Sequence, residues 1–266
     1  MSLSSMSVRS CARTAIAGLS LLLVSSAVAF ANGPEVGYDA GSVVPIHSRN
    51  IQLVSEDVTI TIGGDVPARA VCQYMLKNLT PQPQTIQMGF LLGTQFSYDA
   101  QGYANHYRAA GVRVERRGDT LTAGDIPVRM EEIDSIRWKD LVPSPSDSLP
   151  VWEVKFGPSE VVNLTISYAT SWSGWCNEER HCRFGITYYA RPASLWAGSV
   201  ENARITFRFD RFVTMLMACN PDPASCFQVS AAPVGFTRFP GGFVWEMRDW
   251  EPAEDFNVSA EWTEPK

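Results

Sequence analysis

Residues 151–168, VWEVKFGPSEVVNLTISY, constrain the fold more than any other stretch of the sequence. Trp152, Val154 and Phe156 alternate with Glu153 and Lys155. Beyond Gly157-Pro158-Ser159, Val162, Leu164, Ile166 and Tyr168 alternate with Val161, Asn163, Thr165 and Ser167. Side chains of a strand point alternately to opposite faces, so period two on both sides of a turn signal predicts a hairpin with one face for a core and one for water. Helical spacing would mix Glu153, Lys155 and Asn163 into the apolar stripe.

The same grammar runs along the chain. Val58, Ile60 and Ile62 alternate with Asp57, Thr59 and Thr61; Gly63-Gly64-Asp65 turns the chain, and residues 68–77 return as a second strand. Asn78-Leu79-Thr80-Pro81 breaks it, and Ile86, Met88 and Phe90 mark a third, so the three together predict a meander. Ile205, Phe207 and Phe209 alternate later, and a closing pair has Phe243, Trp245 and Met247 on one strand and Phe256, Val258, Ala260 and Trp262 on the other. Trp152 and Trp245 are expected core residues. In residues 130–141, Ile133, Ile136 and Leu141 fall near helical spacing and predict a short helix or a covering loop. The Pro- and Ser-rich segment 143–148 reads as a flexible joint. The expected fold is therefore all-β, with two packed antiparallel β-sandwich-like parts, residues 32–142 and 151–266, on either side of a linker at 143–150.

The beginning of the chain reads differently. Arg9 and Arg13 precede an apolar run at residues 15–30 that ends in Ala29-Phe30-Ala31, the pattern of a cleaved secretory signal with the mature chain starting near Asn32. The run is shorter than the roughly 20 residues a spanning helix needs, and no second long apolar run follows, so no membrane span is expected in the mature chain. Without Arg9 and Arg13 the formal charge falls from −6 to −8, which argues against nucleic-acid binding by counterion release.

Cysteine usage fits export to an oxidising compartment, periplasmic or extracellular. Cys176, Cys182, Cys219 and Cys226 form two close pairs; four cysteines permit three connectivities, and disulfides are expected among them. Cys72 is left over on an apolar strand face and reads as a buried, inert thiol.

Candidate chemistry is sparse. Arg108, Arg113, Arg116 and Arg117, with His106, Tyr103 and Tyr107, form a basic and aromatic cluster suited to a phosphate or acidic sugar, or else a solvated face paired with neighbouring acids. Trp172 and Trp175, with Tyr168, Tyr188, Tyr189 and Trp196 nearby, would suit stacking on sugar rings or anchoring a partner if exposed. Cys176, His181 and Cys182 fall short of a closed zinc set, and Asp249, Glu251, Glu254 and Asp255 match no calcium loop, so neither metal nor cofactor is expected. His47, His106 and His181 are the only histidines, without a Gly-x-Ser-x-Gly elbow. Glu56, Glu131 and Glu132 remain anonymous carboxylates. Asn78, Asn163 and Asn257 each head an Asn-x-Ser/Thr triplet.

The run Val54-Ser55-Glu56-Asp57-Val58, the strand from Ala70 to Leu76, Lys77-Asn78-Leu79-Thr80 and the strand from Ile86 to Phe90 resemble the opening of an uncharacterised family of secreted bacterial β-proteins. They are similar also to vault and inter-alpha-trypsin type β-sandwiches. Residues 152–168, Leu195-Trp196-Ala197-Gly198 and Asp249-Trp250-Glu251-Pro252 fit that bacterial family too. The resemblance implies an exported two-part β-protein and carries no functional residues. The expected function is a non-enzymatic binding or structural module of the envelope or extracellular space that recognises a protein or envelope component. The alternatives are a carbohydrate-binding module and a carboxylate-dependent hydrolase of envelope carbohydrate.

Overall fold

The computed structural model describes residues 40–46, 50–63, 68–91, 110–117, 123–132, 140–141, 148–170, 173–176, 181–210 and 228–263. All of them fall in one compact unit, Val36–Lys266. The strands in the first part of the chain are β1 (Ser42–Pro45), β2 (Ile51–Ile62), β3 (Ala68–Asn78), β4 (Gln84–Leu91), β5 (Arg113–Arg117), β6 (Ala123–Ile126) and β7 (Arg129–Glu132). They continue with β8 (Ser148–Phe156), β9 (Val161–Thr170), β10 (Ser173–Cys176), β11 (His181–Tyr188), β12 (Val200–Phe209), β13 (Gln228–Ala232), β14 (Thr237–Phe239), β15 (Gly242–Trp250) and β16 (Phe256–Thr263). A 3-10 turn, Arg191–Leu195, precedes β12. Among the described residues no helix is long and apolar enough to cross a membrane.

The all-β expectation holds. One eight-stranded sheet, in the order β14-β15-β12-β2-β3-β9-β5-β6, is faced by two four-stranded sheets, β1-β4-β8-β7 and β10-β11-β16-β13. Pairing is antiparallel except between β12 and β2, which run parallel from Asn202 opposite Ser55 to Phe209 opposite Ile62. The smaller sheets meet where Ala40 bridges Tyr188 in parallel, with Ala40 N–H donating to Thr187 O at 2.8 Å. Contacts across the core tie the layers together: Phe90 of β4 meets Tyr168 of β9 edge-on at 4.7 Å, and Trp245 of β15 meets Phe256 of β16 at 5.2 Å. Trp152 and Trp245 are buried as expected, each such side chain contributing about 1.5–3 kcal/mol by its removal from water.

The connections differ from those expected. β8 and β9 are strands, but they do not form a hairpin: β8 pairs with β4 in one layer and β9 with β3 in the other. The meander fails in the same way, since β2 and β3 pair but β4 crosses to the opposite sheet. The closing strands also separate, β15 joining β12 and β16 joining β11. An apolar alternation faces a core equally well from either layer, so the arch and the hairpin look alike along the chain.

Two arches stack at one corner, and Asn78 holds them. Its amide donates to Gln82 O at 2.7 Å and Gly157 O at 2.8 Å, while its Oδ1 accepts from Thr80 N at 3.0 Å and Thr80 Oγ1 at 2.9 Å. Ser159, at φ 52°, donates its N–H to Thr80 O at 2.9 Å. Asn78 is fully buried, so its triplet belongs to the corner and is closed to glycosylation. Residues 143–150 do not divide the molecule, because β2, β3 and β4 pair with β12, β9 and β8 from beyond that segment. Of the segment 130–141, where a short helix or a covering loop is expected, residues 130–132 belong to strand β7 with Met130 opposite Pro150, and residues 133–139, with Ile133 and Ile136, lie outside the described residues.

Candidate functional site

Of the residues the sequence put forward, Arg108, Trp172, Cys219 and Cys226 lie outside the described residues, as do His47 and His106. Arg113 binds Asp125 at 2.9 Å and Glu115 at 3.1 Å, and Arg116 binds Glu160 at 2.9 Å. Both guanidinium groups thus follow the paired-surface alternative. Arg117 is in β5 opposite Asn163. Trp175 stands opposite Arg183, and Cys176 opposite Cys182, in the β10–β11 ladder. Tyr168, Tyr188, Tyr189 and Trp196 are buried, so these four of the aromatic set around the first cysteine loop belong to the core. Asp255 accepts from Ala190 N, Arg191 N and Arg191 Nε at 2.9, 3.1 and 2.7 Å, bracing the chain ahead of the 3-10 turn. Among the described residues no group of three or more His, Cys, Asp and Glu could hold a metal ion.

Two constellations were not anticipated. The first is internal. β2 carries a bulge between Leu53 and Ser55, and beyond it the inward positions are Glu56, Val58, Ile60 and Ile62. Glu56, 1% exposed, accepts a hydrogen bond from the Tyr188 hydroxyl on Oε1. Tyr188 lies 3.4 Å from the Tyr74 hydroxyl, and the Tyr168 hydroxyl meets Gly41 N at 3.1 Å and Gly41 O at 3.2 Å. Burial pushes the Glu56 carboxyl up to about 7 against the opposing pull of the Tyr188 hydroxyl and of Ser42. Ser42 Oγ acts from nearby without hydrogen-bond geometry, and both it and Glu56 Oε2 are left without a partner. Burial likewise pushes the Cys72 thiol up to about 12, and the leftover cysteine is buried as expected. The signal for Glu56 was present: the alternation of Val58, Ile60 and Ile62, extended backwards, lands on it.

The second constellation is the outer face of the eight-stranded sheet. The polar half of the alternation presents Asp57, Thr59 and Thr61 on β2, Arg204, Thr206 and Arg208 on β12, and Arg69 and Gln73 on β3. Register brings them into rows. Arg208, Thr61 and Arg69 form one, Thr206 and Thr59 the next, and Glu246, Arg204, Asp57 and Gln73 a third. A recess of about 250 Å³ lies over Thr59, Thr206, Arg204, Arg208, Asp57 and Phe239. It continues past Asp57 and Arg204 into a second of about 530 Å³ that reaches Asn202, Glu246 and Arg248. Phe239 forms a wall by lying across Gly242, where an added Cβ would stand 2.7 Å from the ring and 2.0 Å from Phe207 O. Arg204 sits 3.6 Å from Glu246, whereas Arg69, Arg208 and Asp57 make no ion pair among the described residues.

These features define a two-layer β-sandwich with a sealed polar cluster inside and an open, grooved outer face. Its architecture is similar to that of a candidate nutrient binding protein from Legionella pneumophila subsp. pneumophila str. Philadelphia 1, with TM-score 0.55 and 17% identity over 84% of this chain and 72% of that one. Weaker likenesses are to a candidate protease from Parabacteroides distasonis, TM-score 0.38 and 9% identity over 82% of this chain and 41% of that one, and to an M1 zinc metallopeptidase from Deinococcus radiodurans, TM-score 0.33 and 11% identity over 85% and 43%. The chain spans less than half the length of these two. No protein-family model matches the sequence, and no curated protein matches it.

Proposed function

We propose that this chain is an exported, non-catalytic binding module of the envelope or extracellular space, and that it recognises its target with the outer face of the eight-stranded sheet. The observation that carries this reading is the row of Arg208, Thr61 and Arg69, two cations without acidic partners among the described residues, beside an open groove. Arg113, Arg116 and Arg191, by contrast, are each paired with acids of the fold. A non-catalytic role is supported by Glu56, whose shifted carboxyl is the kind of group catalysis uses but is closed off from any substrate by its burial. Glu131 is held by Gln87 Nε2 at 2.5 Å and by Arg129. Binding is also the role named for the Legionella protein of similar fold.

The test is retention of the labelled mature chain on isolated envelope. The Arg69→Ala/Arg208→Ala double variant, checked for an unchanged melting temperature, is expected to lose at least tenfold in retention. Equal retention of the variant and the parent protein would remove the outer face from the function.

A further inference from the structure

Resting on that reading of the face, we propose that the groove takes an acidic saccharide, with a carboxylated sugar unit seated in the recess between Arg208 and Phe239. Four features of the recess point to this chemistry, and no simpler ligand uses all of them. Arg204 and Arg208 project from one side of β12 with Thr206 between them, and Arg69 stands in the row of Arg208, on the far side of Thr61. With strands about 4.8 Å apart, Arg69 and Arg208 stand about 10 Å apart at the backbone, within reach of a shared carboxylate for two long side chains. Thr59 and Thr206 are direct neighbours in register and offer hydroxyls that can donate or accept. Asp57 is exposed and free of cationic partners among the described residues, so it accepts hydrogen bonds from ligand hydroxyls. The Phe239 ring supplies a flat apolar wall, the partner of the C–H face of a sugar ring.

A bare inorganic anion would use the arginines and threonines but gain nothing from Phe239 and would be repelled by Asp57. A neutral sugar would use Phe239, Asp57 and the threonines but leave two guanidinium groups unanswered. A ring carrying both hydroxyls and a carboxylate answers the whole set. The groove runs on past Arg204 to Arg248, opposite Asn202, so cations recur along it with Asp57 and Glu246 between them. That spacing suits an oligomer whose carboxylates repeat, and the two recesses together fall in the size range of small-molecule sites.

The experiment is calorimetric titration of the mature chain with three probes: a galacturonic acid trisaccharide, the neutral galactose trisaccharide and inorganic phosphate. The acidic trisaccharide is expected to bind at least tenfold more tightly than either other probe. Arg208→Ala and Phe239→Ala should each weaken it at least fivefold with melting temperature unchanged, and Arg113→Ala, across the sheet, should leave it as it was. Binding of the neutral trisaccharide as tightly as the acidic one, displacement by phosphate at equal concentration, or binding unaffected by Phe239→Ala would each overturn the proposal. Should none of the probes bind while the arginine double variant still loses envelope retention, the saccharide assignment fails and the recognition face survives. Loss of neither would sink both.

Discussion

Glu56 owes its position to one extra residue at the β2 bulge and its high pKa to the core into which that bulge turns it. Its carboxyl sits at about 7 in the native chain against 4.5 for the free group, so the native state holds the proton more tightly than the unfolded chain. Stability is therefore fullest at low pH, falls as pH rises from about 4.5 to about 7, and stays at the lower level beyond, a loss of about 3 kcal/mol at 1.36 kcal/mol per unit. Glu56→Gln keeps the shape and the Tyr188 bond without a charge and adds a donor facing the unpartnered Ser42 Oγ. Urea unfolding at pH 5 and pH 8 should show the parent protein losing stability between the two while the variant stays level and exceeds it at pH 8. A parent protein equally stable at both would contradict the buried carboxyl. The residue was within reach of sequence reasoning, because the period of Val58, Ile60 and Ile62 runs back onto it. An acidic side chain in that phase breaks the apolar pattern, so the alternation alone does not mark it as a core position.

At the scale of elements, the alternation in residues 151–168 places β8 and β9 well and says nothing about their partners. An arch and a hairpin bury the same side chains, Trp152, Val154 and Phe156 on one strand and Val162, Leu164, Ile166 and Tyr168 on the other. What distinguishes them is the corner, and there the informative residue is Asn78, on a different strand. Asn78→Ala removes four hydrogen bonds and leaves the backbone carbonyls of Gln82 and Gly157 with fewer donors, which at about 1 kcal/mol each predicts a loss of about 2–4 kcal/mol. Thermal unfolding would show this directly, and a shift of less than a degree would deny the corner its role. The β10–β11 ladder carries a second expectation. Cys176 and Cys182 face each other in register at a cross-strand spacing of about 4.5–5.5 Å, inside the range that disulfides span. Non-reducing peptide mapping of the protein made under oxidising conditions should find these two joined; a link from either to Cys219 or Cys226 would contradict the register.

For the molecule as a whole, the linker reading of residues 143–148 was reasonable chemistry and poor topology. Proline and serine are turn chemistry, and nothing in them records that β8, β9 and β12 return to pair with β4, β3 and β2. Separately produced halves, 32–142 and 151–266, should therefore lack a cooperative unfolding transition by circular dichroism, whereas two sharp transitions would restore the two-part reading. The outer face was hidden for a related reason. Thr59, Thr61, Thr206, Arg204 and Arg208 are the unremarkable polar members of two alternations until the parallel β12–β2 ladder sets them side by side. The most direct test of this face as the recognition surface is hydrogen exchange of the mature chain with and without its native envelope fraction. Slowed exchange in peptides from β2, β12 and β15 is the predicted result. Protection confined to β5 or to the β10–β11 ladder, with the outer face unchanged, would contradict it.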